Sequence, residues 1–329
     1  MRVLVTGGAG FIGSHIVDAL LDAGHDLFVM DDLSSGSREN LPLRAKFLEG
    51  DIRNAQRVTE VFREIEPNWV CHQAAQVSVS RSVRNPRFDA EVNVLGLVQL
   101  LQAAADSKVE RFVFASSGGV LYGDVTKPAP EETPADPISP YGFTKWVGEK
   151  YLEFFAKEYG MQTVALRYAN VYGPRQNPHG EAGVVAIFCT RLLSGEPATV
   201  NGDGKYVRDY VYGEDVARAN VAALTVELKD KFRAFNIGTA RPADVNELES
   251  LVRGHCQAAL KDRSSTVQVP PPNYGPPRLG DLRSSLVSYQ RAARELNWKP
   301  TVDLETGLKK TVEWFAARVV KPTSPTTPT

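Results

Sequence analysis

The chain has 329 residues, with 38 Lys and Arg against 39 Asp and Glu, a net charge of −1, 43% hydrophobic and 23% charged residues. Both signs are interspersed and no basic block occurs, so neither nucleic acid nor an anionic membrane is an expected partner. Cys71, Cys189 and Cys256 are too far apart for a disulfide framework or a metal site, which points to a reducing compartment, read as the cytoplasm. No apolar run is long enough to span a bilayer, and the start reads as lacking a secretory leader.

In chain order, residues 2–6 read as a buried strand and 11–23 as a helix with Ile12, Ile16, Ala19 and Leu20 on one face. A second strand over 26–30 ends at Asp31 and Asp32. Further strands are expected at 46–49, 69–72, 111–115 and 163–167, with helices at 55–65, 87–105 and 141–159. This alternation predicts an α/β, doubly wound parallel sheet of the Rossmann type. After Asn170 the rhythm loosens into Pro/Gly-rich loops and shorter helices near 184–193, 214–228, 245–260, 289–296 and 304–316. The predicted organisation is a dinucleotide-binding domain over 1–170, whose sheet later segments complete, an interleaved smaller lobe over 171–320, and a disordered tail over 321–329.

Between the first strand and first helix lies Thr6-Gly7-Gly8-Ala9-Gly10-Phe11-Ile12-Gly13. Glycines at 7, 10 and 13 permit a tight turn and let the backbone approach a pyrophosphate, while the helix N-terminus offers free N–H groups and a positive dipole end. Asp31 follows Gly13 by 18 residues, where a carboxylate holds the adenosine ribose and repels a 2′-phosphate. The next residues, Asp32-Leu33-Ser34-Ser35-Gly36, contain no Arg, so NAD is expected over NADP. Asp51 and Ile52, after the third strand, stand where an Asp can reach the adenine amino group. Tyr141 and Lys145, four apart on a helix, share a face one turn apart. An ammonium beside a phenol favours the phenolate, which makes a base able to take a proton from an alcohol.

His72-Gln73-Ala74-Ala75, Asn93, Ser116-Ser117, Tyr122-Gly123, Tyr141-x-x-x-Lys145, residues 166–173 (Leu-Arg-Tyr-Ala-Asn-Val-Tyr-Gly) and Val207-Arg208-Asp209-Tyr210-Val211 follow the glycine turn in order. In these motifs the chain resembles the extended short-chain dehydrogenase/reductase superfamily over residues 1–315, and within it the bacterial UDP-glucose (UDP-galactose) 4-epimerases. The resemblance implies an isomerase that uses bound NAD. Tyr141 takes the proton of the sugar C4 hydroxyl, hydride passes to the nicotinamide, and it returns to the other face of a rotated 4-keto sugar. Lys145 is expected to hold the nicotinamide ribose and lower the Tyr141 pKa, with Asn93 and Ser116 supporting Lys145 and the nicotinamide. Gln73, Ala74, Ala75 and Tyr168 complete the expected cofactor set.

Relatives carry Ser or Thr four residues before the Tyr of the Val-Tyr-Gly motif, and counting back from Tyr122 gives Gly118. Ser117, Ser116 or a water is expected to replace it, with Ser117 preferred. Dehydratases and decarboxylases of the superfamily place carboxylates just after that position. Here Gly119 and Val120 stand there, which favours a redox-neutral epimerisation. Arg208 and Arg278 are expected to clamp the diphosphate. Asn170, Val184, Thr199 and Asn201 would line the nucleotide site, Asp281 would read the uridine ribose, and Val77 and Ser78 would meet the sugar near the nicotinamide. Ser285 falls at the position that gates sugar size; its small side chain implies tolerance of N-acetylhexosamines. UDP-glucuronate and UDP-N-acetylglucosamine 4-epimerases, a net dehydrogenase and a non-catalytic NAD sensor are the alternatives. No metal site is expected. The aromatic run Tyr151, Phe154 and Phe155 belongs either to the core or to the interface of a homodimer.

Overall fold

Val3, Leu4 and Val5, all fully buried, form an interior strand of the seven-stranded sheet that organises the molecule. The computed structural model describes residues 1–179, 183–277 and 281–319, so the expected tail over 321–329 lies outside the described residues. The strands are β1 (Arg2–Thr6), β2 (Asp26–Asp31), β3 (Lys46–Glu49), β4 (Trp69–His72), β5 (Arg111–Ser117), β6 (Gln162–Tyr168), β7 (Asn170–Tyr172), β8 (Thr199–Asn201), β9 (Val207–Tyr212), β10 (Phe232–Ile237), β11 (Pro242–Asp244), β12 (Asn273–Gly275) and β13 (Ser284–Ser285). The α-helices are α1 (Phe11–Asp22), α2 (Ala55–Ile65), α3 (Val79–Arg84), α4 (Pro86–Ala90), α5 (Gly96–Asp106), α6 (Gly118–Leu121), α7 (Pro140–Tyr159), α8 (Val184–Leu193), α9 (Gly213–Thr225), α10 (Val245–Asp262), α11 (Gln290–Glu295) and α12 (Leu304–Val319).

The sheet order is β10-β6-β5-β4-β1-β2-β3, and every pair is parallel. Apolar side chains on both faces cover it. Ile16, Val17 and Leu20 of α1 and Val216, Ala219 and Ala223 of α9 pack on one face, while Val58, Phe62, Leu97, Leu101 and Leu152 of α2, α5 and α7 pack on the other. Chain order reverses between β1 and β4, which opens a crevice beyond their carboxyl ends, the place where ligands enter such sheets. The seventh strand and α9 come from beyond residue 170, so later segments complete the sheet and one of its helical layers.

A second core gathers Tyr172, Phe188, Leu192, Leu248, Val252, Leu308 and Phe315 around α8, α10 and α12. Short strands β11, β9 and β13, with β7 paired to β9, form its small sheet. Arg2–Thr6, Ala55–Ile65 and Trp69–His72 have the boundaries expected from the sequence. The single helix expected over 87–105 is instead broken. Asn85 caps α4, Pro86 starts it, a π-turn spans Glu91–Leu95, and α5 begins at Gly96. Such a turn admits an extra residue and turns Asn93 inward, where it is 3% exposed.

Candidate active site

The glycine turn is held by close backbone contacts. Gly7 has φ +68, and a Cβ there would lie 2.5 Å from the Ala74 nitrogen; one on Gly13 would lie 2.2 Å from the Gly7 carbonyl oxygen. Helix α1 therefore starts tight against β1 and β4. Gly10 is its N-cap and brings no capping side chain. The first-turn N–H groups at Phe11, Ile12 and Gly13 thus form a cradle that suits a pyrophosphate. Asp31, at the end of β2, is buried and accepts the Ala9 N–H at 3.0 Å on one oxygen and the Leu33 N–H at 2.9 Å on the other. One lone pair on each oxygen remains for ribose hydroxyls. Burial raises its pKa, opposed by the two backbone hydrogen bonds. Asp32 accepts the Ser34 N–H and hydroxyl, and Gly36 packs against Ala9 where no Cβ would fit. Ser35 completes this loop.

Beside it, a cavity of about 500 Å³ is lined by residues that include Asp32, Gly50, Asp51, Asn54 and Arg57. Asp51, expected to read adenine, is held by Arg53 through Nε at 2.9 Å and Nη2 at 2.5 Å, which keeps its carboxyl below the usual range. Ile52 is buried against Gly96. Gln73 and Tyr168 meet at Asn220 of α9, to which the Tyr168 hydroxyl donates at 3.1 Å. Ala74 and Ala75 remain partly open along the crevice. Behind the turn, Arg175 donates to His15 Nδ1 at 2.8 Å and pairs with Asp18, while His15 Nε2 donates to the Pro174 carbonyl at 2.9 Å. This joins α1 to the loop that enters the smaller core.

Tyr141 begins α7. Ser139 caps that helix and Pro140 opens it. Ser117, the last residue of β5, is hydrogen-bonded to the Tyr141 phenol, and this bond favours the ionised form. Lys145, one turn along, is 3% exposed and donates to the Ala115 carbonyl at 2.9 Å. Its Nζ stands 5.7 Å from the Tyr141 ring centre and 4.9 Å from that of Phe114. The structure thus groups Tyr141, Ser117 and Lys145 at the carboxyl end of β5, beside the switch point.

Several expectations change. First, the Tyr141 pKa is raised, not lowered, by burial and by the charge of Asp89. The cause is dryness. Burial also pulls Lys145 down to about 8, which leaves its ammonium charged at neutral pH but without the margin of an ordinary lysine. Second, Ser116 does not reach Lys145. Its hydroxyl donates to Glu149 at 2.5 Å, and Glu149 is ion-paired with Arg167 at 2.6 Å, inside the packed layer between α7 and the sheet. Third, Gly118, the position reached by counting back four from Tyr122, has no room for a side chain. Gly118 is buried, and a Cβ there would lie 2.7 Å from Val287 Cγ1. Of the two serines, Ser117 stands beside the phenol, while Ser116 turns to Glu149. The residues just after Ser117 are Gly118 and Gly119, so this stretch still carries no carboxylate.

Asn93 does not touch Lys145 through its side chain. Its amide is committed to the Gln76 backbone, to Asp89 and to Thr144. On the other wall, Asn170 Oδ1 faces the Gly119 position, and the buried Ser285 hydroxyl donates to the Gly119 carbonyl at 3.2 Å. Val77 is exposed and Ser78 caps α3. Arg208 is paired with Asp281 at 2.5 Å, so two expected nucleotide contacts hold each other. Val184 opens α8, Thr199 and Asn201 lie on β8, and Arg278 lies outside the described residues. Asp89, Thr144, Gln76, Asn220, Glu149 and Arg167 were not read from the sequence. For Asp89 the available signal was its place four residues before Asn93.

Geometry of this kind defines a class: enzymes of the Rossmann type that work a nucleotide cofactor from the switch point of a parallel sheet. Residues 3–238 match the NAD dependent epimerase/dehydratase family, and the chain belongs to it. It is 44% identical to the UDP-glucose 4-epimerase of Mycolicibacterium smegmatis over 96% of this chain and 98% of that one. Among solved structures it is similar to a Thermotoga maritima UDP-glucose 4-epimerase with UDP-glucose, with 48% identity, a TM-score of 0.90, and coverage of 96% and 99% of the two chains. The Thermus thermophilus UDP-glucose 4-epimerase complex with NAD is 44% identical, with a TM-score of 0.89 and coverage of 97% and 100%.

Proposed function

We propose that the protein is an NAD-dependent isomerase that interconverts UDP-glucose and UDP-galactose. The observation that carries this reading is the Tyr141–Ser117–Lys145 group at the crevice mouth, followed by Gly118 and Gly119 in place of carboxylates. The turn at Gly7 to Gly13, Asp31, and Ala74 with Ala75 would hold the dinucleotide, and the uncapped start of α1 fits its pyrophosphate. When bound, NAD supplies a positively charged ring and a reversible two-electron acceptor.

Tyr141 accepts the proton of the C4 hydroxyl and returns it after the sugar has turned. Ser117 donates to the phenolate oxygen and orients the C4 hydroxyl. Lys145 holds the ribose next to the nicotinamide and balances the phenolate. Because the resting phenol is neutral, Tyr141 becomes a working base only when a further positive charge enters the dry site. Arg208, released from Asp281, holds the diphosphate with Arg278, and Asp281 turns to the uridine ribose. The small side chain of Ser285 at this wall supports UDP-N-acetylglucosamine as a further substrate. In this reading, residues 1–170 carry the cofactor and 171–320 the UDP-sugar.

The protein is further read as a cytoplasmic homodimer of galactose metabolism. Phe143, Tyr151 and Phe154 of α7 are exposed, which supports pairing through that helix. Among the described residues no helix is long and apolar enough to cross a membrane. Incubation with UDP-galactose, with and without added NAD, tests the reading. UDP-glucose is expected, and Tyr141→Phe is expected to abolish nearly all turnover. No conversion by the NAD-loaded protein would refute it.

A further inference from the structure

We propose that Asp89 is a positioning residue of this reaction: a dry carboxylate that ties the first turn of the catalytic helix to the cofactor loop and presents a fixed negative charge to the Tyr141–Lys145 pair. The inference rests on the reading above for what the pair does. Asp89 is fully buried on α4. One of its oxygens accepts Gln76 Nε2 at 2.7 Å and Asn93 Nδ2 at 3.1 Å; the other accepts the Thr144 hydroxyl at 2.9 Å. Thr144 lies between Tyr141 and Lys145 on α7 and shares its single proton with the Tyr141 carbonyl at 3.0 Å. Gln76 in turn fixes the loop beyond Ala74 and Ala75, since it bonds Ser78 at 2.7 and 2.9 Å and Asn93 clasps its backbone.

Packing does not require the charge. An Asn at 89 could keep Gln76 and Asn93 on its oxygen and donate its amide to the Thr144 oxygen, leaving every partner satisfied. A buried carboxylate is costly to desolvate, and here its hydrogen bonds come from three neutral side chains. The charged groups around it define what it acts on. From α7 it faces Tyr141 and Lys145. Beyond Lys145, His72 of β4 is held neutral by burial, its pKa drawn down to about 3. From α3, the Arg81 guanidinium stacks on Phe88, the residue before Asp89, at 4.1 Å from the ring centre, and Arg53 lies on the same ring. One turn after Lys145, Glu149 is committed to Arg167. The Asp89 charge therefore steadies the Lys145 ammonium against burial and holds back Tyr141 ionisation until the cofactor is in place.

The test uses the NAD-loaded protein and its Asp89→Asn and Thr144→Val variants. Asp89→Asn removes the charge and keeps the shape, so both limbs of the pH–rate profile should move to lower pH by about one unit. The Lys145 titration midpoint, followed by lysine 13Cε NMR and assigned with Lys145→Arg, should fall with them. Thr144→Val removes the link and keeps the charge, so it should lower kcat and leave the profile in place. A D89N profile that is only scaled, with an unmoved Lys145 midpoint, overturns the proposal, as does a T144V variant with full kcat. If D89N does not fold, T144V decides. If the wild-type protein does not convert UDP-galactose, the substrate reading fails, while the Lys145 titration still tests Asp89.

Discussion

Motif counting reaches Gly118, whereas the serine beside the Tyr141 phenol is Ser117, one residue earlier. A Cβ at Gly118 would lie 2.7 Å from Val287 Cγ1 and 3.1 Å from the Arg167 carbonyl oxygen. Val287 cannot retreat easily. It is β-branched and 1% exposed, and its other methyl lies 2.5 Å from where a Cβ on Gly238 would stand. Overpacking such a site costs ~1–3 kcal/mol. Alanine recovers up to ~1 kcal/mol over glycine in a helix, so Gly118→Ala should lose about 1–2 kcal/mol. Gly119→Ala is the control. Its nearest neighbours, Asn170 Oδ1 and Ser117 Oγ, lie 3.6 and 3.8 Å away, so stability should stay within about 0.5 kcal/mol. Urea unfolding of both variants and of the Gly118→Ala/Val287→Ala pair measures this. The double variant should be more stable than the sum of the singles by more than about 1 kcal/mol. Additive effects, or a Gly118→Ala protein as stable as wild type, would refute the reasoning and reopen Gly118 as a place for a substrate-facing side chain.

Ser117→Ala removes the donor to the Tyr141 oxygen and should lower kcat about 10- to 100-fold, as expected for a hydrogen bond to a charged group; UDP-galactose turnover measures it, and an unchanged kcat would return the contact to a water. Glu149→Gln leaves the Arg167 cation uncompensated in a dry layer and should destabilise by about 3–5 kcal/mol in urea, with the Ser116 contact weakened as well. Burial draws His15 to about 4 and His72 to about 3, both below the unfolded value of 6.5. The unfolded chain therefore takes up these protons first. The histidine contribution to stability is complete above pH 6.5 and is lost as pH falls through 6.5 toward 4 and 3. His15→Gln should flatten part of that fall in a Tm-against-pH series, and identical slopes would contradict the assignment.

The sheet was legible because its strands are short, β-rich runs set between amphipathic helices, and β1, β4 and α2 were bounded to the residue. The glycine turn and Asp31 were legible because their spacing follows from the geometry of a strand, a turn and a helix. The Tyr141–Lys145 pair was legible as a helical i, i+4 pattern. Less visible was what depends on burial. No local pattern reports that Lys145 is dry, so the sign of the Tyr141 shift came out reversed. The fate of Ser116 and Ser117 turned on which face of β5 each occupies, so the sequence could prefer Ser117 but not place Ser116 against Glu149. Asn220, Asp89 and Arg167 reach the site region from elements far apart in sequence, and only the folded register brings them there. The small sheet of the second core rests on strands of two to six residues, too short for periodicity to mark.

The central claim is that Tyr141 moves a proton at the sugar oxygen while the hydrogen on C4 stays within the site. UDP-galactose carrying deuterium at C4 tests it most directly, with the NAD-loaded protein in ordinary water and the product read by NMR. The account predicts UDP-glucose that keeps its deuterium at C4, and no turnover with Tyr141→Phe. Loss of the label to solvent at the rate of conversion, or full activity without the phenol, would contradict it.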